Sequence, residues 1–115
     1  MTQARRALGR HGEDRAASWY EEHGYRVLAR NWRCREGELD LVVALGRTVV
    51  FCEVKARTSD AFGTPAEAVG HAKRARIRSL AARWLEHEAP FRPLGIRFDV
   101  VAVQGPSLEV IEGAF

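Results

Sequence analysis

With 115 residues the chain has room for one domain and a single packed core, and a hydrophobic share of 46% is enough to fill that core. The net charge of +3 tilts partner preference toward anions such as nucleic acid, though only mildly. No stretch approaches the roughly 20 apolar residues of a membrane span, and the arginine-bearing first ten residues are not followed by the apolar region of a signal peptide.

The two cysteines, Cys34 and Cys52, form no CxxC pair and have no histidine at a zinc-ligand spacing. They read as reduced thiols of a cytoplasmic protein. Along the chain, a first helix is predicted from about residue 2 or 9 to residue 23. Ala16, Ala17 and Tyr20 recur there at helical spacing, and Gly24 offers a stop. Residues 25–32 read as a strand whose apolar members are Tyr25, Val27 and Leu28. Residues 38–45 and 48–57 read as a second and third strand. Between them lies Gly46-Arg47, and glycine at the first central position suits a two-residue type II′ hairpin turn.

Residues 58–65 contain Ser, Asp, Gly and Pro and are expected to form a loop. A long helix is predicted from about residue 65 to 88, with Pro65 accommodated in its first turn. Its apolar stripe comprises Val69, Ala72, Ile77, Leu80, Ala81, Trp84 and Leu85, opposite Lys73, Arg74, Arg78 and Arg83. Pro90 and Pro93 end it, residues 96–103 form a fourth strand, and residues 108–111 form a short fifth one beyond the Gln104-Gly105-Pro106 turn. The helix between the third and fourth strands allows them to pair in parallel with a right-handed crossover. The expected fold is one α/β domain over residues 1–115, a mixed sheet flanked by helices in the order αβββαββ.

The Gly46-Arg47 turn also fixes a register. Pairing 45 with 48 and 43 with 50 brings Asp40 opposite Glu53, with Cβ atoms roughly 4.5–5.5 Å apart. Two carboxylates that close repel one another, and nothing about strand stability asks for them. Glu53 and Lys55, two residues apart, project to the same face as Phe51, while Val50, Cys52 and Val54 face a continuous core with Leu41, Val43 and Leu39 or Leu45. Two facing carboxylates beside an ammonium suit a hard divalent cation, with Lys55 placed to orient a water or offset charge on a phosphate. The competing interpretation is an ordinary ion pair of Lys55 with Glu53, Asp40 or Glu38 at a solvated sheet end. Glu13 falls on the inward stripe of the first helix, three, four and seven residues before Ala16, Ala17 and Tyr20, where a carboxylate is rarely buried without a partner. A role in the helix dipole is the alternative for it.

The blocks GELDLV at 37–42 and VFCEVKAR at 50–57 resemble the D…ExK core of PD-(D/E)xK nucleases. Together with GEDRAA at 12–17, HGYRVLARNWR at 23–33, GTPAEAV at 63–69, Lys73 and RFDVVAV at 97–103, they resemble the YraN family of bacterial proteins over about residues 9–103. That resemblance implies a restriction-endonuclease-like fold, similar to archaeal Holliday-junction resolvases. It also implies metal binding by Asp40, Glu53 and the Val54 carbonyl, a catalytic Lys55, and Glu13 as the acidic residue of helix one in resolvase-like members. The chain departs from the family pattern at Leu45-Gly46-Arg47, where the turn is usually acidic, and at Cys52, which replaces a valine. Both departures lie outside the proposed site.

Arg33, Arg57 and Lys73 are the candidate nucleic-acid contacts, the resemblance favouring Arg57 and Lys73 because they lie in its matched blocks. For Arg74 and Arg78 ordinary solvation is the competing reading. Trp32 could stack on a base, but a tryptophan at a strand end more often packs in the core. Trp19 and Trp84 read as core or interface residues, Asn31 as a cap or turn residue, and the four histidines carry no assigned role. There is no nucleophile elbow and no phosphate-binding glycine loop. The expected activity is Mg²⁺- or Mn²⁺-dependent hydrolysis of nucleic-acid phosphodiesters, with DNA favoured over RNA and structured or branched DNA foremost. So small a domain offers a limited footprint, which leaves room for a homodimer or a protein partner. The rival class is a nucleic-acid-binding module that keeps the fold without catalysis.

Overall fold

The computed structural model describes residues 3–57 and 69–115, apart from the side chains of residues 4–6. The described elements are α1 (Gln3–Glu22), β1 (Arg26–Cys34), β2 (Gly37–Leu45), β3 (Thr48–Arg57), α2 (His71–His87), β4 (Gly95–Gln104) and β5 (Ser107–Ile111). All five strands form one sheet in sequential order, antiparallel throughout except for the parallel β3–β4 pair joined through α2. The αβββαββ order and the mixed sheet expected from the sequence are those observed. The β2–β3 hairpin closes as anticipated, with Leu45 paired to Thr48. Gly46 carries φ 59 and Arg47 has no positive φ, the combination a type II′ turn requires.

The two faces of the sheet bury separate cores. On one, Ala16, Ala17 and Tyr20 of α1 pack on Leu41, Val43, Val50, Cys52, Val101 and Val103. On the other, Ile77, Leu80, Ala81 and Trp84 of α2 pack on Leu39, Val42, Val49, Phe51 and Val100. The face shared by Phe51 and Glu53 is therefore core as well. The expectation that Leu39 or Leu45 would join Leu41 and Val43 is corrected: Leu39 lies in the α2 core and Leu45 is exposed. Among the described residues, no helix is long and apolar enough to cross a membrane.

The α2 prediction also needs correcting. Gly70 is extended (φ −72, ψ 173) and stands as N-cap, so α2 begins only at His71; residues 65–68 of the expected helix lie outside the described residues. Glycine carries the highest backbone entropy cost in a helix and gives way first. The expected loop at residues 58–65 lies outside the described residues. Ala72, assigned to the apolar stripe, is exposed, and it is Lys73 of the same turn that reaches the sheet.

One buried polar network ties the α1 layer to the sheet. Asp99 of β4 is fully buried and accepts hydrogen bonds from Tyr20 Oη (2.7 Å), from Arg97 Nε (2.8 Å) and Nη2 (2.9 Å), and from the Gly113 amide (3.0 Å). Arg97 also donates to Tyr25 Oη at 2.9 Å. A buried carboxylate is tolerated when its lone pairs are satisfied in this way.

Candidate functional site

The candidate site forms where the β2–β3 ladder gives out. Paired residues run from Leu45↔Thr48 to Leu41↔Cys52, and Asp40 and Glu53 come next. Beyond that point β2 changes course, since Leu39 and Leu41, two apart, are buried in opposite cores. Asp40 Oδ2 accepts the Val54 amide at 2.9 Å, so its carboxylate occupies ground that a strand partner would otherwise hold. Asp40 and Glu53 then share a side-chain hydrogen bond. The geometry expected from the hairpin turn is met in its essential point, the approach of the two carboxylates.

On the other side of Asp40, β1 is equally irregular. Arg30 pairs with Leu41 and Trp32 with Leu39, which puts Asn31 across from Asp40. Asn31 is the one non-glycine residue with positive φ (51°) among the described residues. Asparagine tolerates this left-handed conformation better than most residues. Its side chain hydrogen-bonds Glu13 of α1. Glu13 reaches the site because α1 crosses β3 closely at Gly12, where a β-carbon would sit 3.0 Å from Ala56 Cβ and 3.6 Å from Val54 Cγ1. Glycine lets the helix come that near the strand without crowding Ala56.

Two lysines converge on one oxygen. Lys73, in the first turn of α2, brings Nζ to 2.5 Å from Glu53 Oε1, and Lys55 Nζ lies 3.5 Å from the same atom. Glu53 itself is only 7% exposed. The parity that aims Glu53 at α2 is that of Phe51, which packs edge-on against Trp84.

These surroundings displace the ionisation of the cluster. Burial, reinforced by the Glu53 charge, pushes Asp40 up to about 7 despite the Val54 hydrogen bond. Burial likewise raises Glu13, against the hydrogen bond from Asn31. Lys55 is lowered, first by burial and then by contact with Lys73. Burial acts on Lys73 in the same sense, but its bonds to Glu53 and Lys55 outweigh it and the net shift is upward. Without a further cation, Asp40 keeps its proton up to about neutral pH.

As to a metal, no group of three or more His, Cys, Asp or Glu side chains converges among the described residues. The donor set is thus two carboxylates, with Glu13 behind them. Glu13 Oε2 is buried and has no hydrogen-bond partner. That orphaned oxygen, and an Asp40 that cannot ionise freely beside Glu53, fit a site in which a hard divalent cation supplies the missing positive charge. Mg²⁺ commonly accepts one or two carboxylates and keeps several waters.

The remaining candidates sit as follows. Arg33 is exposed and donates to Glu38 at 3.1 Å, and Glu38 in turn bears electrostatically on Glu13. Arg57 ends β3, two residues past Lys55, and lines a cleft with Gln104, Ser107 and Glu109. Lys73, expected to contact phosphate, is held at Glu53. Arg74 donates to the Val69 carbonyl, and Arg74 and Arg78 lie over the Phe115 ring. Trp84 is buried, Trp32 packs against the α2 core, and Trp19 stacks on His23. Sequence reasoning missed the pairing of Asn31 with Glu13; the only signal was an asparagine within a predicted strand. It also missed the Asp99 network, because Tyr20, which joins it from α1, lies far away in sequence.

A family model described as "Uncharacterised protein family UPF0102" matches residues 12–103. A UPF0102 protein of Frankia casuarinae is 55% identical over 117 residues, spanning 97% of this chain and 98% of its own. Another, from Acidothermus cellulolyticus, is 47% identical over 126 residues, spanning 97% and 96%. A third, from Streptomyces griseus, is 50% identical over 103 residues, spanning 90% and 87%. The matched span runs from the Gly12–Glu13 approach through Asp40, Glu53, Lys55 and Lys73 to the end of the core of β4, and on this ground the chain belongs to the UPF0102 family.

Proposed function

We propose that the protein is a metal-dependent nuclease of the PD-(D/E)xK class, with a restriction-endonuclease-like fold, that hydrolyses phosphodiester bonds of DNA, structured or branched DNA foremost. The observation that carries this reading is the meeting of Asp40, Glu53 and Lys55 at a break in the β2–β3 ladder. Asp40, Glu53 and the Val54 carbonyl would hold Mg²⁺ or Mn²⁺, which when bound lowers the pKa of a water and offsets phosphate charge. Lys55, drawn toward its neutral form by burial, is suited to accept a proton from the attacking water or to orient it. Asn31 fixes Glu13 behind Asp40, where it supports the centre. Arg33, exposed on β1, and Arg57, at the end of β3, are offered as phosphate contacts. The free cysteines Cys34 and Cys52 suit a reducing, cytoplasmic setting.

The test is cleavage by purified protein with Mn²⁺ or Mg²⁺ of single-stranded, duplex, flapped and four-way-junction DNA and of RNA. Cleavage of one substrate class, reduced at least about 100-fold in Asp40→Ala and Lys55→Ala, is the expected result. Variants that cleave as fast as the parent would remove the assignment. The bonding of Lys73 to Glu53 favours a second reading, because it satisfies the carboxylate without any metal: a binding module that retains the fold without catalysis. Absence of cleavage, with equal salt-sensitive DNA binding by parent and Asp40→Ala, would select it.

A further inference from the structure

Glu53 holds an unusual share of the positive charge of the cluster. Both lysines address its Oε1, one at 2.5 Å and the other at 3.5 Å, whereas Glu13 Oε2 is buried without a partner. Lys55 lies on the same strand and the same face as Glu53, so it alone would neutralise that carboxylate. Lys73 comes from a different element, and its side chain remains 41% exposed. It therefore reaches in from the rim of the site. Its flexible four-carbon stem lets the ammonium leave without any backbone movement. A divalent cation at Glu53 and the ammonium now bonded to Oε1 are like charges claiming one carboxylate, in surroundings dry enough to strengthen their repulsion.

We infer that Lys73 is the resident counter-ion of the candidate metal centre: its ammonium occupies Glu53 in the metal-free protein, a divalent cation displaces it, and the displaced ammonium is released toward a substrate phosphate. This rests on the metal-centre reading and adds a device for regulating that site. It explains how a buried carboxylate pair stays folded before loading, since an unpaired buried charge is costly. It also makes Lys73 a positioning residue that couples loading to substrate contact.

The experiment is calorimetric titration of Mn²⁺ into metal-free parent, Lys73→Gln, Lys73→Met, Lys73→Arg and Asp40→Asn, with thermal unfolding of each in parallel. Removing the competing charge in Lys73→Gln and Lys73→Met should tighten Mn²⁺ binding roughly ten-fold or more, while Lys73→Arg, which keeps the cation, gains nothing. Both neutral variants should unfold at lower temperature than the parent without metal and recover more on adding Mn²⁺. A neutral variant that folds only with Mn²⁺ would equally support the inference. Unchanged or weaker Mn²⁺ binding by a folded neutral variant would overturn it. So would failure of both neutral variants to fold even with Mn²⁺, which would make Lys73 a purely structural residue. Mn²⁺ binding that is lost in Asp40→Asn but indifferent to Lys73 would leave the metal centre standing without its counter-ion. No Asp40-dependent binding in any protein would remove both.

Discussion

Asp40 is a residue whose position works against the stability of the metal-free fold. Its pKa stands at about 7 in the folded chain, against roughly 3.9 in an unfolded one. The folded state therefore holds more protons than the unfolded state between about pH 4 and 7. Whatever stability Asp40 contributes is complete below its unfolded pKa and is lost as pH rises through the folded value. By pH 8 Asp40 is mostly ionised and most of that cost is present. Asp40→Asn keeps an acceptor for the Val54 amide and removes the charge. In chelator, the variant should unfold at nearly the parent's temperature at pH 4 and well above it at pH 8, a gain of about 1–4 kcal/mol at roughly 1.4 kcal/mol per pKa unit. A melting-temperature difference that does not change with pH would mean that Asp40 does not titrate in this window. Asp99 provides the contrast, since its charge is satisfied by Tyr20, Arg97 and the Gly113 amide. Asp99→Ala should destabilise by about 3–5 kcal/mol, because it strands buried donors and the Arg97 charge. Chemical denaturation measures it, and a loss below about 1 kcal/mol would mean that the network carries little of the fold.

At the scale of elements, local signals travelled well and non-local ones did not. Gly46-Arg47 is enough to fix the hairpin, and the observed pairs Leu45↔Thr48 and Val43↔Val50 follow from it. The approach of Asp40 to Glu53 was legible for the same reason, since both belong to that hairpin. The bend at Asp40 was not legible, because it depends on β1, where Asn31 adopts φ 51. Nor was the hold of Lys73 on Glu53, because a crossover connection separates them and residue spacing carries no distance across it. The start of α2 differs from the expectation because Pro65 and the apolar Val69 favour an early start, while Gly70 takes the N-cap position. The α1–β3 crossing allows a test at this scale. Gly12→Val would drive a branched side chain into Ala56 and Val54, already 3.0 and 3.6 Å from where its Cβ would lie. Overpacking of this kind costs about 1–3 kcal/mol. It would also lift Glu13 away from Asn31 and Asp40. The expected result is a lower melting temperature together with weaker Mn²⁺ binding than in Ser18→Val, an exposed position on the same helix. Unaltered stability would mean that α1 does not need its close approach.

For the molecule as a whole, the net charge of +3 is too small to steer nucleic acid by itself, so any binding must come from where the charge is placed. The carboxylate pair of Asp40 and Glu53, with Glu13 behind it, repels a phosphate backbone until cations compensate it. Arg33 on the β1–β2 hairpin and Arg57 at the end of β3 flank that cluster, and Lys73 sits at its rim. If Arg33 and Arg57 neutralise one phosphate each while Lys73 stays at Glu53 in the metal-free protein, the logarithm of duplex affinity should fall against the logarithm of salt with a slope of about −2, at roughly −0.9 per contact. Arg33→Ala should flatten that slope by about one unit and leave the melting temperature unchanged, because its exposed pair with Glu38 contributes little stability. The measurement is fluorescence anisotropy of a labelled duplex at several salt concentrations, in chelator so that no strand is cut. In the same buffer, Arg57→Ala should flatten the slope by a similar step. A slope near zero in the parent would mean that the molecule does not grip a phosphate backbone through this face. A steep slope indifferent to both arginines would move the binding surface elsewhere, to the basic side of α2 that bears Arg76 and Arg83.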